Sequence, residues 1–211
     1  MEKLNDLYEK FPGSYVAYLG FIFSIVFMSV AIVLYDDPSF SIFTHYISDL
    51  GASTKGSAIV WNISMIITAP IRIIFGFYLL KLLETKGANQ KTLKITAFFM
   101  VISAIGSTFI ALNPHDTSRL LHMLGAFTYF IGVVVIQVNI TKIELKTENI
   151  PKYLPIVSIA VVMCYILFLS FEISELISEF FKILACFFEW MAYFVLMAWL
   201  VLHGIYTQQN K

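Results

Sequence analysis

Residues 11–35 read FPGSYVAYLGFIFSIVFMSVAIVLY, a run without a single Asp, Glu, Lys or Arg. In a helix, about 20 such residues cross roughly 30 Å of hydrocarbon, and in lipid only a helix or a closed barrel satisfies every backbone N–H and C=O. The run is too long for a barrel strand, so it reads as a membrane-spanning helix. Residues 120–141 and 153–171 are equally free of those four residue types. The same criterion, carried along the chain, places six spans at about 15–35, 57–81, 93–112, 119–141, 153–172 and 180–204. The expected fold is therefore all-α: a polytopic integral membrane protein, a six-helix bundle forming one domain over residues 1–211.

Composition points the same way. Of 211 residues, 59% are hydrophobic and 13% charged, where soluble domains hold about half and about a quarter. A formal net charge of zero argues against nucleic acid and against a polybasic membrane-surface mode. Cys164 and Cys186 both fall inside spans and read as small apolar residues, not as a disulfide. The N-terminal region does not resemble a cleavable signal: its lysines are offset by acids, and its apolar run is too long and lacks a small-residue cleavage site.

Each expected break carries turn chemistry or charge: Asp36-Asp37-Pro38, Glu84 to Lys91 around Gly87, Asn113-Pro114, Lys142 to Lys152, and Glu172 to Glu179. Only 36–56 (DDPSFSIFTHYISDLGASTKG) is long enough for structure of its own, such as a short interfacial helix. Orientation follows from the positive-inside rule. With the N-terminus cytoplasmic, the inner segments hold Lys3, Lys10, Lys81, Lys86, Lys91, Lys94, Lys142, Lys146, Lys152 and Lys211, while the outer ones hold only Lys55, Arg119 and Lys182. Both termini are expected in the cytoplasm, and the host membrane is expected to be the plasma membrane.

Polar residues at membrane depth are costly and usually face the bundle interior. Asn62, Ala69, Arg72 and Gly76 share one face of span 2; Ser118, His122, Gly125, Tyr129 and Gly132 share one of span 4; Cys186, Glu189 and Tyr193 share one of span 6; and span 3 adds Ser103, Gly106 and Ser107. The small residues read as close helix contacts. Arg72 lies roughly 20 Å and Glu189 roughly 15 Å below the outer surface, so a buried ion pair is expected between them. The alternatives are a Glu189 that takes up protons or ligand, and an Arg72 that snorkels toward the cytoplasm.

The outer side is richer. His45, Tyr46, Ser48 and Asp49 come from the first long loop; Asn113, His115, Asp116, Arg119 and His122 come from the second outer loop and the start of span 4. If 45–49 is helical, His45 and Asp49 share a face, which is metal-compatible spacing, as is His115-Asp116 with His122. Arg119 beside a helix start would suit a phosphate or carboxylate. A serine, histidine and acid near one another would also permit acyl transfer. His203 stands alone near the inner end of span 6 and reads as interfacial. No nucleotide-binding or hydrolase motif of the common kinds is present.

Tyr46-Ile47-Ser48-Asp49-Leu50-Gly51-Ala52 resembles the YISD-x-G motif of the Frag/DRAM/Sfk superfamily. Asn62, His122 with Gly125-Ala126, and Glu189-Trp190 are similar to its pattern as well. Asn113-Pro114-His115-Asp116 followed by His122 resembles the layout of a prokaryotic six-helix family of unknown function, DUF 998. The resemblance implies six spans, cytoplasmic termini, a long first outer loop and a role connected with membrane lipid. Membrane hydrolases of the alkaline ceramidase and adiponectin-receptor type carry an HxxxH pair in their last span, and this last span has none.

The preferred reading is recognition, with remodelling as an extension, of a membrane lipid headgroup in a pocket open to the outer leaflet, with no cofactor required. Ser48 and Asp49 would form one wall, Asn62, Asp116 and His122 the next, and Arg119 would meet the anionic group over a floor of Arg72 and Glu189. A second reading is a metal-dependent lipid hydrolase holding Zn²⁺ on His45, Asp49, His115, Asp116 and His122. A third is a proton-linked small-molecule transporter using Glu189 and Arg72, although no inverted repeat is visible. The residues alone do not decide between binding and catalysis.

Overall fold

A computed structural model describes residues 12–52, 56–174 and 178–210. Lys3, Lys10, Lys55 and Lys211 lie outside the described residues. Six long helices follow one another: α1 Gly13–Tyr35, α2 Gly56–Thr85, α3 Gln90–Leu112, α4 Arg119–Lys146, α5 Tyr153–Ser174 and α6 Glu179–Gln209. All six are long and apolar enough to cross a membrane. There is no β-strand among the described residues. Each expected span lies inside one helix, and α2, α4 and α6 continue beyond their expected inner ends.

Local chemistry explains the ends. Asp36 closes α1 in the left-handed conformation (φ 50°), and the Asp37 carboxylate then accepts from the amide (2.8 Å) and hydroxyl (2.7 Å) of Ser39. Gly87 takes φ 87° in the tight turn between α2 and α3, where a side chain would be strained. Asn89 then caps α3 by accepting from the amides of Lys91 and Thr92. Pro70 sits within α2, which runs on through it.

Helices adjacent in sequence are adjacent in space, and α6 returns to α1, so the six close into a ring. The tightest approach joins α3 to α4. A Cβ on Gly106 would lie 2.5 Å from the Tyr129 backbone nitrogen, and one on Gly132 would lie 2.8 Å from the Ser103 Cβ. The small residues on those two faces thus meet, as expected of helices that associate without a hydrophobic driving force. Outside, Ile, Leu, Val and Phe stand exposed along every helix (Val33, Ile59, Phe98, Leu120, Ile156 and Phe180 among them), a surface suited to lipid rather than water. Cys164 and Cys186 are free thiols.

Between α1 and α2, Ile47–Gly51 forms a short 3₁₀ helix that contacts α1, α2 and α6. Ile47, Leu50 and Gly51 are buried in it, so this part of the loop belongs to the core.

Candidate functional site

The 3₁₀ helix is held on three sides. The Ile47 amide donates to Glu189 Oε2 at 2.7 Å, and the Ser48 amide also bonds to this carboxylate. The Trp190 indole N–H donates to the His45 carbonyl at 2.9 Å. The Asn62 amide donates to the Gly51 carbonyl at 2.9 Å, and a Cβ on Gly51 would lie 2.5 Å from Asn62 Oδ1. Asp49 ties the segment to the connection between α3 and α4: Oδ2 accepts from the Tyr46 amide (2.9 Å) and Oδ1 faces His115 Nε2 (3.0 Å).

Beneath this segment lies a cavity of about 410 Å³. Its outer part is lined by Ser48, Asp49, His115, Arg119, His122 and Lys182. Apolar walls follow, from Met65, Met123, Phe127, Phe130, Phe168 and Leu169. Its deep part is polar again, with Ser24, Thr68, Arg72, Tyr129, Tyr165 and Tyr193. The Tyr129 and Tyr165 hydroxyls are 3.3 Å apart, and Tyr193 donates to the Ser24 carbonyl at 2.8 Å.

Arg72 and Glu189 both line this cavity, but the expected ion pair between them is corrected: no contact within 4.0 Å joins them. Glu189 is occupied by the backbone of the 3₁₀ helix. Arg72 Nη2 donates to Ser107 Oγ at 2.8 Å, and its guanidinium lies 5.6 Å from the Tyr129 ring centre. Two further assignments change. Asn62 serves the Gly51 carbonyl and does not line the cavity, and Asp116 is exposed outside it. Ser48, Asp49, Arg119 and His122 do line it.

The metal constellation is not assembled. His45 precedes the 3₁₀ helix and faces Asp37 at 3.8 Å rather than Asp49, whose two oxygens are already engaged. Among the described residues, no three His, Cys, Asp or Glu side chains are grouped to hold a metal ion. His122 Nδ1 faces the Asn113 carbonyl at 3.1 Å and must therefore donate, which leaves Nε2 as the nitrogen for a ligand. His115 packs edge-on against it, with ring centres 5.6 Å apart.

The hydrogen bond to Asp49 raises the His115 pKa above the ordinary 6.5, with the Asp49 and Asp116 charges adding to the shift against partial burial and Arg119. A raised folded value means that protonation favours the folded state. This contribution is complete below about 6.5, the unfolded value, and disappears as pH rises through the raised one. Melting temperatures followed upward from pH 6 should therefore fall more for the wild type than for His115→Gln. Parallel curves would show that the His115–Asp49 contact carries no proton linkage.

Sequence reasoning missed a second cluster at the end of the ring opposite the 3₁₀ helix. His203 is not interfacial: its Nε2 lies 2.6 Å from Glu144 Oε1, with the two side chains 0% and 1% exposed. Ser158 donates to Glu144 Oε2 at 3.2 Å, and the Trp199 indole N–H donates to Ser158 Oγ at 2.9 Å. His203 Nδ1 faces the Trp199 carbonyl at 2.9 Å, and the two rings are tilted 30° to each other with centres 4.2 Å apart. The missed signal was length. With span 4 ended near 141, Glu144 fell among loop charges, whereas α4 continues to Lys146.

No curated protein and no solved structure matches the chain. One family model does, described as a protein of unknown function (DUF998), and it matches residues 18–206, from within α1 to near the end of α6. A match over nearly the whole ring, taking in both polar clusters, means that the chain belongs to the DUF998 family.

Proposed function

We propose that the outer cavity recognises a membrane lipid with an anionic headgroup, entering from the leaflet on the side of the 3₁₀ helix. The observation that carries this reading is Arg72. It stands roughly 24 Å along α2 from its outer end, faces the cavity, and has a hydroxyl and an aromatic ring as neighbours but, among the described residues, no carboxylate within 4.0 Å. A guanidinium at that depth is costly in lipid, and an anion in the cavity would offset the cost through paired N–H donors. Arg119 and Lys182 add positive charge at the mouth beside the Asp49 and Glu172 carboxylates, and His122 offers a ring nitrogen. Met123 and Phe127 line the cavity and are also exposed, giving acyl chains an apolar way out beside α4. The volume falls within the roughly 300–1,000 Å³ of small-molecule sites. The likeness of residues 46–52 to the Frag/DRAM/Sfk motif supports a lipid-connected role, and the lysine distribution supports an extracytoplasmic position for the cavity.

The test is thermal stabilisation of detergent-purified protein by phosphatidylglycerol against phosphatidylcholine. A ligand at a hundredfold excess over its Kd stabilises by about 2.7 kcal/mol. Phosphatidylglycerol should give a shift of this order, and Arg72→Gln and Arg119→Gln should each lose most of it. Equal stabilisation by phosphatidylcholine, or a wild-type response from Arg72→Gln, would overturn the reading.

A further inference from the structure

The ring interior holds a second cavity, of about 70 Å³, on the inner side of the first. Arg72 and Tyr129 line both cavities. Gln137 and Trp199 line the inner one; Gln137 is 2% exposed, and its side-chain oxygen has no hydrogen-bond partner. A space of this size exceeds the ~10–15 Å³ one water needs, and an unsatisfied buried acceptor is where water is held in a protein interior. Beyond the Trp199 ring, one residue further, lies the Glu144–His203 pair.

The polar residues form two stripes. On α4, His122, Tyr129, Gln137 and Glu144 recur at intervals of seven, eight and seven, which keeps them on one face. From first to last they cover roughly 33 Å, about the thickness of the hydrocarbon layer. On α6, Glu189, Tyr193, Trp199 and His203 run the same way. Lipid-facing helices do not need such stripes. A route for a small polar species does.

The inner pair identifies the species. His203 Nδ1 faces a carbonyl, which can only accept, so Nδ1 carries a hydrogen. Nε2 and Glu144 Oε1, 2.6 Å apart, must then share a single further proton, on either the imidazole or the carboxyl. Without it, a carboxylate would face a ring lone pair in a dry site. The pair thus holds one proton between the two atoms. The ionisable and polar groups around it are Ser158 and Tyr153 of α5, Trp199 and Tyr206 of α6, and Lys86 just after α2, whose ammonium lies 5.6 Å from the Tyr206 ring centre. The Tyr206 hydroxyl is buried without a hydrogen-bond partner.

We infer that the DUF998 ring contains a transmembrane proton path, with Glu144–His203 as its proton-holding station. A proton crosses from the outer cavity past Arg72 and Tyr129 into water beside Gln137. Movement of the Trp199 ring connects that water to Ser158, which passes its hydroxyl proton to Glu144 Oε2 and takes up the incoming one. The pair releases its held proton toward the inner surface past Tyr206. No net bond is made or broken, and one charge moves inward per proton. This function does not depend on the lipid reading of the outer cavity.

The experiment uses the full chain in vesicles of phosphatidylethanolamine and phosphatidylglycerol loaded with a pH-sensitive dye, driven by a valinomycin–potassium potential, negative inside. Wild-type vesicles should acidify at least fivefold faster than protein-free ones. Gln137→Leu, which deletes an acceptor that no protein group uses, should keep its melting temperature and lose the added rate. Glu144→Gln, similar in shape but unable to hold the proton, should lose it too, whereas Ile156→Ala, on the lipid-facing surface, should keep it. A wild-type rate equal to that of empty vesicles, or an unchanged rate in folded Gln137→Leu, overturns the proton path. Loss of lipid-induced stabilisation with flux intact would remove the lipid reading alone.

Discussion

Replacing His203 with leucine should cost the protein about 3–5 kcal/mol of stability, the range for a buried ion pair deprived of one partner. Glu144 would remain almost fully buried, with Ser158 as its remaining hydrogen-bonding neighbour. Desolvating the two groups together costs much of what their contact returns, so the loss comes from stranding the survivor rather than from the worth of the bond. The double variant Glu144→Leu with His203→Leu should therefore recover a large part of what either single change loses. Unfolding by SDS titration in mixed micelles, with helicity as the signal, measures all three. Losses that simply add would mean that the two side chains are not coupled.

Glu189→Leu is the second large effect. Its carboxylate takes the amides of Ile47 and Ser48 in a buried position. Each buried amide left unsatisfied costs about 1–3 kcal/mol. Glu189→Gln keeps an acceptor oxygen and should lose distinctly less. Hydrogen exchange read by mass spectrometry gives a local signature: peptides covering residues 40–52 should exchange faster in the leucine variant, while those within α3 should not change. Uniform acceleration along the chain would mean that Glu189 supports the whole bundle rather than the 3₁₀ segment.

These two carboxylates mark what a single sequence reveals here and what it hides. Uncharged runs long enough to cross lipid are a one-dimensional property, so the spans were legible to within a few residues. Glu189 and Arg72 were legible as deep charges because nothing around them in the chain is polar. Their partners were not. The Ile47 amide and the Ser107 hydroxyl are ordinary groups whose role arises only when the ring closes, and the obvious opposite charge was the wrong guess. Asn62 shows the same limit: its amide serves a backbone carbonyl, a role invisible in its residue type. His203 was misplaced because its acidic partner is 59 residues away and sat beyond a helix end drawn a turn and a half too early.

The three-sided hold on the 3₁₀ helix also bears on the order in which the molecule can be assembled. Asn62 follows Gly51 by 11 residues, but Glu189 follows Ile47 by 142 and Trp190 follows His45 by 145. At the ~5–20 residues per second of synthesis, the segment waits on the order of ten seconds after it is made before α6 exists. During that interval it has a partner in α2 but lacks its principal one, while α1 to α5 are already being inserted. The mouth of the cavity is thus completed only once α6 arrives, and a chain that stalls before α6 would be a nearly full set of helices without a finished site.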